Sequence, residues 1–194
     1  MATPAGIYND KLYCVSDSGV VCECSLDLSE HKEVMRLDMK MGWHAPAGIT
    51  TDGMMYCYSE SGTLYAVPLS DPDVRETVAE NVLTYTCYDD DVYYTVYDHR
   101  EYGKYGKALI YTDCGGTLWK YSGEEKRSET VFEDCGGDVG KIEYIDDKVI
   151  RWRGCYYAGM SNGHKYLDLA NGRVFFEFSY DTGEARVVYE QSFE

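Results

Sequence analysis

The sequence predicts an all-β chain assembled from copies of one short antiparallel meander, and three observations carry that expectation. The tetrapeptide PAGI at Pro4–Ile7 recurs at Pro46–Ile49. PAGIYNDKLYCVSDSGVV aligns with PAGITTDGMMYCYSESGTL after one inserted residue, so that Cys14 falls on Cys57 and Gly19 on Gly62. Self-similarity at such a period marks stacked supersecondary units, each too small to bury its own faces. The composition points the same way: 20 Tyr stand against 5 Phe and 3 Trp, beside 19 Gly. Tyrosine suits a half-buried pleated surface, where the ring packs and the hydroxyl reaches water or a partner. Finally, apolar residues alternate with polar ones at period two between turn residues, which is a strand pattern.

Each copy follows the same order. An acidic turn comes first: Asn9–Asp10, Thr51–Gly53, Asp89–Asp91 and Asp146–Asp147. An alternating run follows it: KLYCV, MMYCY, VYYTV and KVIRW. A glycine then precedes a second run, GVVCEC, GTLYAV, GTLWKY or GRVFFEF, and the copy closes on KEVMRL, RETVAE, SETVFE or ARVVYE. The unit is four strands in an antiparallel meander, with copies at about 4–45, 46–80, 81–139 and 140–190 of a single domain 1–194. SEHKEVMRLDMKMG offers a competing helix capped by Ser29, with Val34, Leu37 and Met41 on one face. The unbroken alternation of Met35, Leu37, Met39 and Met41 against Arg36, Asp38 and Lys40 favours the outer strand of the first unit. Four-stranded meanders repeating every 40–50 residues or so are blades, and the fold class is a β-propeller built from about four such repeats.

The pattern D-x-x-φ-Y-Y, then G-T-L-Y-x-V, then E-T-V-x-E resembles bacterial propeller repeats related to the low-density-lipoprotein-receptor (YWTD-type) β-propellers. LYCV, MYCY and VYYT stand where that family has its tetrad. The motifs are packing and turn residues, so the resemblance implies a fold and no activity. The expectation is closure as four blades; pairing into a larger ring and excision from a longer parent are the alternatives.

A net charge of −16 argues against a nucleic-acid polymer or an anionic membrane as the main partner, since phosphate surfaces require clustered Lys and Arg. No apolar run is long enough to cross a bilayer. MATPAGIYND lacks a basic start followed by an apolar core, and the eight cysteines fall mostly inside strand-like runs, where free thiols behave as small hydrophobes. A cytoplasmic setting is expected, with a trimmed secreted parent as the alternative.

Function is expected where the copies differ. The loop between second and third strands is a tight turn in the first two copies, SDSG and SESG. It swells to DHREYGKYGKALIYTDCG in the third and to RGCYYAGMSNGHKYLDLAN in the fourth. Enlarged loops on a rigid scaffold are where binding sites usually lie. The first insertion sets Arg100, Lys104 and Lys107 among Tyr102 and Tyr105, a basic and aromatic island in an acidic chain. Tyr faces stack on sugars or bases, and Lys and Arg hold anionic groups. The second adds Tyr156, Tyr157 and His164, and strand counting brings Trp43 and His44 of one blade connection to the same face. The patch suits a protein partner or a small ligand, either a glycan or a nucleotide-like molecule. The competing reading pairs the insertions as extra hairpins whose tyrosines pack.

No catalytic motif stands up in this context. GMSNG at Gly159–Gly163 matches the nucleophile-elbow spelling around Ser161, but that motif works only where a strand turns into a helix. Cys22 and Cys24 are too close in sequence for a usual zinc pair, and His31, His44, His99 and His164 have no ligand spacing. The acidic turns are explained by carboxylates bonding to nearby backbone N–H groups. No cofactor motif occurs. The resulting expectation is a non-enzymatic binding or scaffold module. The alternatives are a carbohydrate-active or other hydrolytic enzyme with a carboxylate pair, and a ligand-free homo-oligomerisation module.

Overall fold

The computed structural model describes residues 2–37, 41, 47–105, 108–114, 116–133, 139–154 and 172–192, and every strand pairing it gives is antiparallel. The first sheet joins β1 (Ala2–Tyr8), β2 (Lys11–Ser16), β3 (Val20–Ser25) and β4 (His31–Arg36) in that order. The second joins β5 (Ala47–Ile49), β6 (Met54–Tyr58), β7 (Leu64–Pro68) and β8 (Glu76–Ala79). The third starts with β9 (Val82–Tyr88) and β10 (Asp91–Val96). A two-stranded sheet of β11 (Asp98–Tyr105) and β12 (Ala108–Cys114) interrupts it, and it resumes with β13 (Leu118–Ser122) and β14 (Arg127–Phe132). The fourth joins β15 (Lys141–Ile145), β16 (Val149–Gly154), β17 (Gly172–Ser179) and β18 (Glu184–Ser192). The fold is an all-β propeller of four-stranded antiparallel meanders. Of the segment that competed as a helix, His31–Arg36 is strand β4, and residues 38–40 and 42 lie outside the described residues.

The turns show why the copies fold alike. Tyr8 pairs with Lys11 across a two-residue loop in which Asn9 and Asp10 both take positive φ, 48° and 59°. That is the conformation whose twist matches the flanking strands, and Asn and Asp tolerate it. In the SDSG and SESG turns the same bonds recur. Gly19 and Gly62 N–H donate to Ser16 and Ser59 carbonyls, at 2.9 and 3.0 Å. Ser16 and Ser59 Oγ accept from Val20 and Thr63 N–H, at 3.0 and 3.1 Å. Both glycines sit near φ 80°, at 78° and 83°, where a side chain would be strained.

A bulge also repeats. Pairing of the third strand with the outer one skips Val34 in the first sheet, Val78 in the second and Val188 in the fourth. Each is a valine of the closing motif, so the same residue type absorbs the extra strand twist in these three copies.

Two compact units arise. One comprises Met1–Val82, Thr86–Tyr93 and Lys120–Ser128, and the other Leu83–Tyr85, Tyr94–Trp119 and Glu129–Glu194. In the first, Val15, Val21 and Met35 stand opposite one another on the first sheet and bury against Met55, Cys57 and Val67 of the second. In the other, Trp152 is fully buried and stacks on Phe132 and Phe176, with ring centroids 4.9 and 5.4 Å apart. Among the described residues no helix is long and apolar enough to cross a membrane.

Candidate functional site

The third-copy insertion folds as the β11–β12 hairpin, a two-stranded sheet separate from the four-stranded ones, and so pairs as the competing reading expected. Its register sets Arg100 opposite Thr112, Lys104 opposite Leu109 and Tyr105 opposite Ala108. The pairing skips Tyr102, between Glu101 and Gly103, so this tyrosine occupies a bulge, a device that breaks strict alternation. One strand therefore brings together four of the sequence-predicted site residues. Trp43, His44, Tyr156, Tyr157 and His164, and with them Lys107, lie outside the described residues, as does the candidate elbow serine Ser161.

The acidic turns are structural. Asp52 Oδ1 accepts from Thr50 Oγ1 at 2.6 Å and from Met54 N–H at 3.2 Å. Asp146 accepts from the Tyr144 hydroxyl and from the N–H groups of Lys148 and Val149, all within 2.8 Å. The tyrosine bond first, then those N–H groups, hold its carboxyl below the ordinary range. Thr51 Oγ1 donates to Asp90, and Lys120 pairs with Asp91 at 2.8 Å. Among the described residues no group of three or more His, Cys, Asp and Glu is arranged to hold a metal ion.

Sequence reasoning missed two clusters. In the first, the Tyr121 hydroxyl donates to Glu76 at 3.1 Å while Lys126 approaches the other Glu76 oxygen at 3.1 Å. Burial, and then Glu76, push the Tyr121 hydroxyl up to about 12, so it stays a donor. No short-range signal joins these three positions. The second cluster is a trio of thiols on the first sheet. Cys14 pairs with Cys22 across β2 and β3, and Cys24, two residues on, lies on the same face. All three are half-buried and free. Burial raises the Cys14 thiol, and a hydrogen bond with Cys24 adds to the effect. The SDSG turn was the available signal, because its closure at Ser16 and Val20 fixes the register that puts Cys14 opposite Cys22.

No protein-family pattern matches the sequence, and no characterised relative does. Solved structures do share the fold. The N-terminal domain of Nup159 superposes with a TM-score of 0.57 at 10% identity, over 94% of this chain and 46% of that one. An oligogalacturonate lyase in complex with manganese gives 0.56 at 13%, over 94% and 51%. BamB from Moraxella catarrhalis gives 0.50 at 14%, over 98% and 64%. These likenesses place the chain among β-propellers. The chain spans about half the length of the first two structures, 46% and 51%.

Proposed function

We propose that the chain is a non-enzymatic binding or scaffold module that recognises a protein partner or a small ligand through the face bearing the insertions. The observation that carries this reading is the residue content of the β11–β12 hairpin, since hairpin pairing itself is common to this reading and to the packing one. The hairpin stands as a separate sheet and concentrates Arg100, Tyr102, Lys104 and Tyr105 on one strand of a chain of net charge −16. A recognition loop on a rigid scaffold has this construction. Structures of the same fold add support. One is of S. cerevisiae Dbp5 bound to Nup159, and another is of the mitotic checkpoint complex. Kinship with YWTD-type repeats belongs to the same proposal and rests on the turn and packing motifs of the four copies. A reducing, cytoplasmic setting fits the five free thiols among the described residues, Cys14, Cys22, Cys24, Cys57 and Cys87.

The test joins Arg100→Ala, Tyr102→Ala and Tyr105→Ala in one variant. Wild type and variant are compared on a glycan array, against a panel of nucleotides, and by thermal unfolding. A ligand retained by wild type and lost by the variant at nearly unchanged melting temperature supports the reading. A large loss of stability makes these residues packing groups and overturns it.

A further inference from the structure

The thiol trio of the first sheet carries an inference independent of the binding face. Val15, Val21 and Met35 occupy the buried face of that sheet, so Cys14, Cys22 and Cys24 occupy the other, where each is half-exposed. Directly opposite residues of an antiparallel pair have Cα atoms about 4.5–5.5 Å apart, inside the span of about 4.4–6.8 Å that a disulfide bridges. Cys14 and Cys22 are such a pair, and they are thiols here. Cys24 hydrogen-bonds with Cys14 but stands diagonal to it, and diagonal neighbours lie about 7–8 Å apart, beyond a bridge's reach, while Cys22 and Cys24 share one strand. The rest of the row is Pro4 on β1 and Glu33 on β4.

We propose that Cys14 and Cys22 form a reversible dithiol–disulfide site that responds to low-molecular-weight disulfides. One thiolate attacks the small disulfide, forming a mixed disulfide and releasing one small thiol. The second cysteine, as its thiolate, attacks the protein sulfur of that mixed bond, closes the Cys14–Cys22 bridge and releases the second small thiol. Two protein thiols and one small disulfide thus give one protein disulfide and two small thiols, the protons passing to the latter. Exposed cross-strand bridges of this sort belong to the labile and regulatory class rather than to structural staples.

The experiment treats the folded chain with oxidised glutathione, followed by intact mass and peptide mapping. Wild type is expected to lose two hydrogens in a bridge mapped to Cys14 and Cys22, and to regain them with a small-thiol reductant. Cys14→Ser is expected to lose the bridge and to retain glutathione as a mixed disulfide on β3. Cys24→Ser is expected to form the bridge as wild type does. Circular dichroism of each variant establishes that it is folded. The proposal is overturned by a wild-type chain that keeps Cys14 and Cys22 as thiols, by a bridge mapped to another pair, or by an undiminished bridge in folded Cys14→Ser.

Discussion

Tyr8 lies across Gly53, and this contact decides what that position tolerates. Gly53 has φ 81°, and a Cβ there would stand 2.6 Å from the Tyr8 ring. Gly53→Ala meets both backbone strain and a clash, and we expect it to destabilise the chain by about 1–3 kcal/mol in denaturant unfolding. Trp152 tests the aromatic stack. Trp152→Ala should cost about 3–5 kcal/mol. Trp152→Phe keeps a ring between Phe132 and Phe176 and discards an indole N–H that has no hydrogen-bond partner among the described residues, so it should cost clearly less. Asp27 is a pH reporter. Its carboxylate accepts from the hydroxyls of Ser25 and Ser29, both at 2.7 Å, and these bonds bring it from 3.8 down to about 2. A depressed carboxylate stabilises the folded turn above its ordinary value and loses that contribution as the pH falls through the folded one. The Ser25–Glu30 turn should therefore loosen between about pH 4 and pH 2, with Asp27 resonances titrating near the lower limit. Such residue-level pairings were hidden in the sequence wherever the partners come from different hairpins, as with Tyr8 and Gly53.

Turns and strand order were legible, because the chemistry that fixes them is local. Asn9–Asp10 and the two Ser-x-Ser-Gly turns carry their geometry within a few residues, so their repetition exposed the unit. The bulges at Val34, Val78 and Val188 were not legible, since a skipped residue shows only when the partner strand is known. The hairpin register of the third insertion escaped for the same reason, and its length alone did not separate a loop from an added pair of strands. The serine turns yield an element-scale prediction. Ser59→Ala and Ser16→Ala remove the same side-chain acceptor from the same backbone donor, and each should cost about 1 kcal/mol. Ser59 is buried and Ser16 is half-buried, so Ser59→Ala should show the larger loss in chemical denaturation.

For the whole molecule, the four-stranded meander is the repeating unit of structure, and the β11–β12 hairpin is an addition to it. The repeat made this organisation visible in the sequence, because the copies share an alternating strand pattern and the first two share the same serine turn. Ligand chemistry was far less visible, since recognition resides where the copies cease to agree. If the β11–β12 hairpin serves recognition, the propeller should stand without it. The most direct measurement is thermal unfolding of a chain in which residues 98–114 are replaced by the Ser-Glu-Ser-Gly turn of the second copy. The account predicts a cooperative transition within about 4 °C of wild type, a shift corresponding to no more than about 1–2 kcal/mol in a domain of this size. A non-cooperative transition, or a fall well beyond that range, would make the hairpin part of the core and contradict the account.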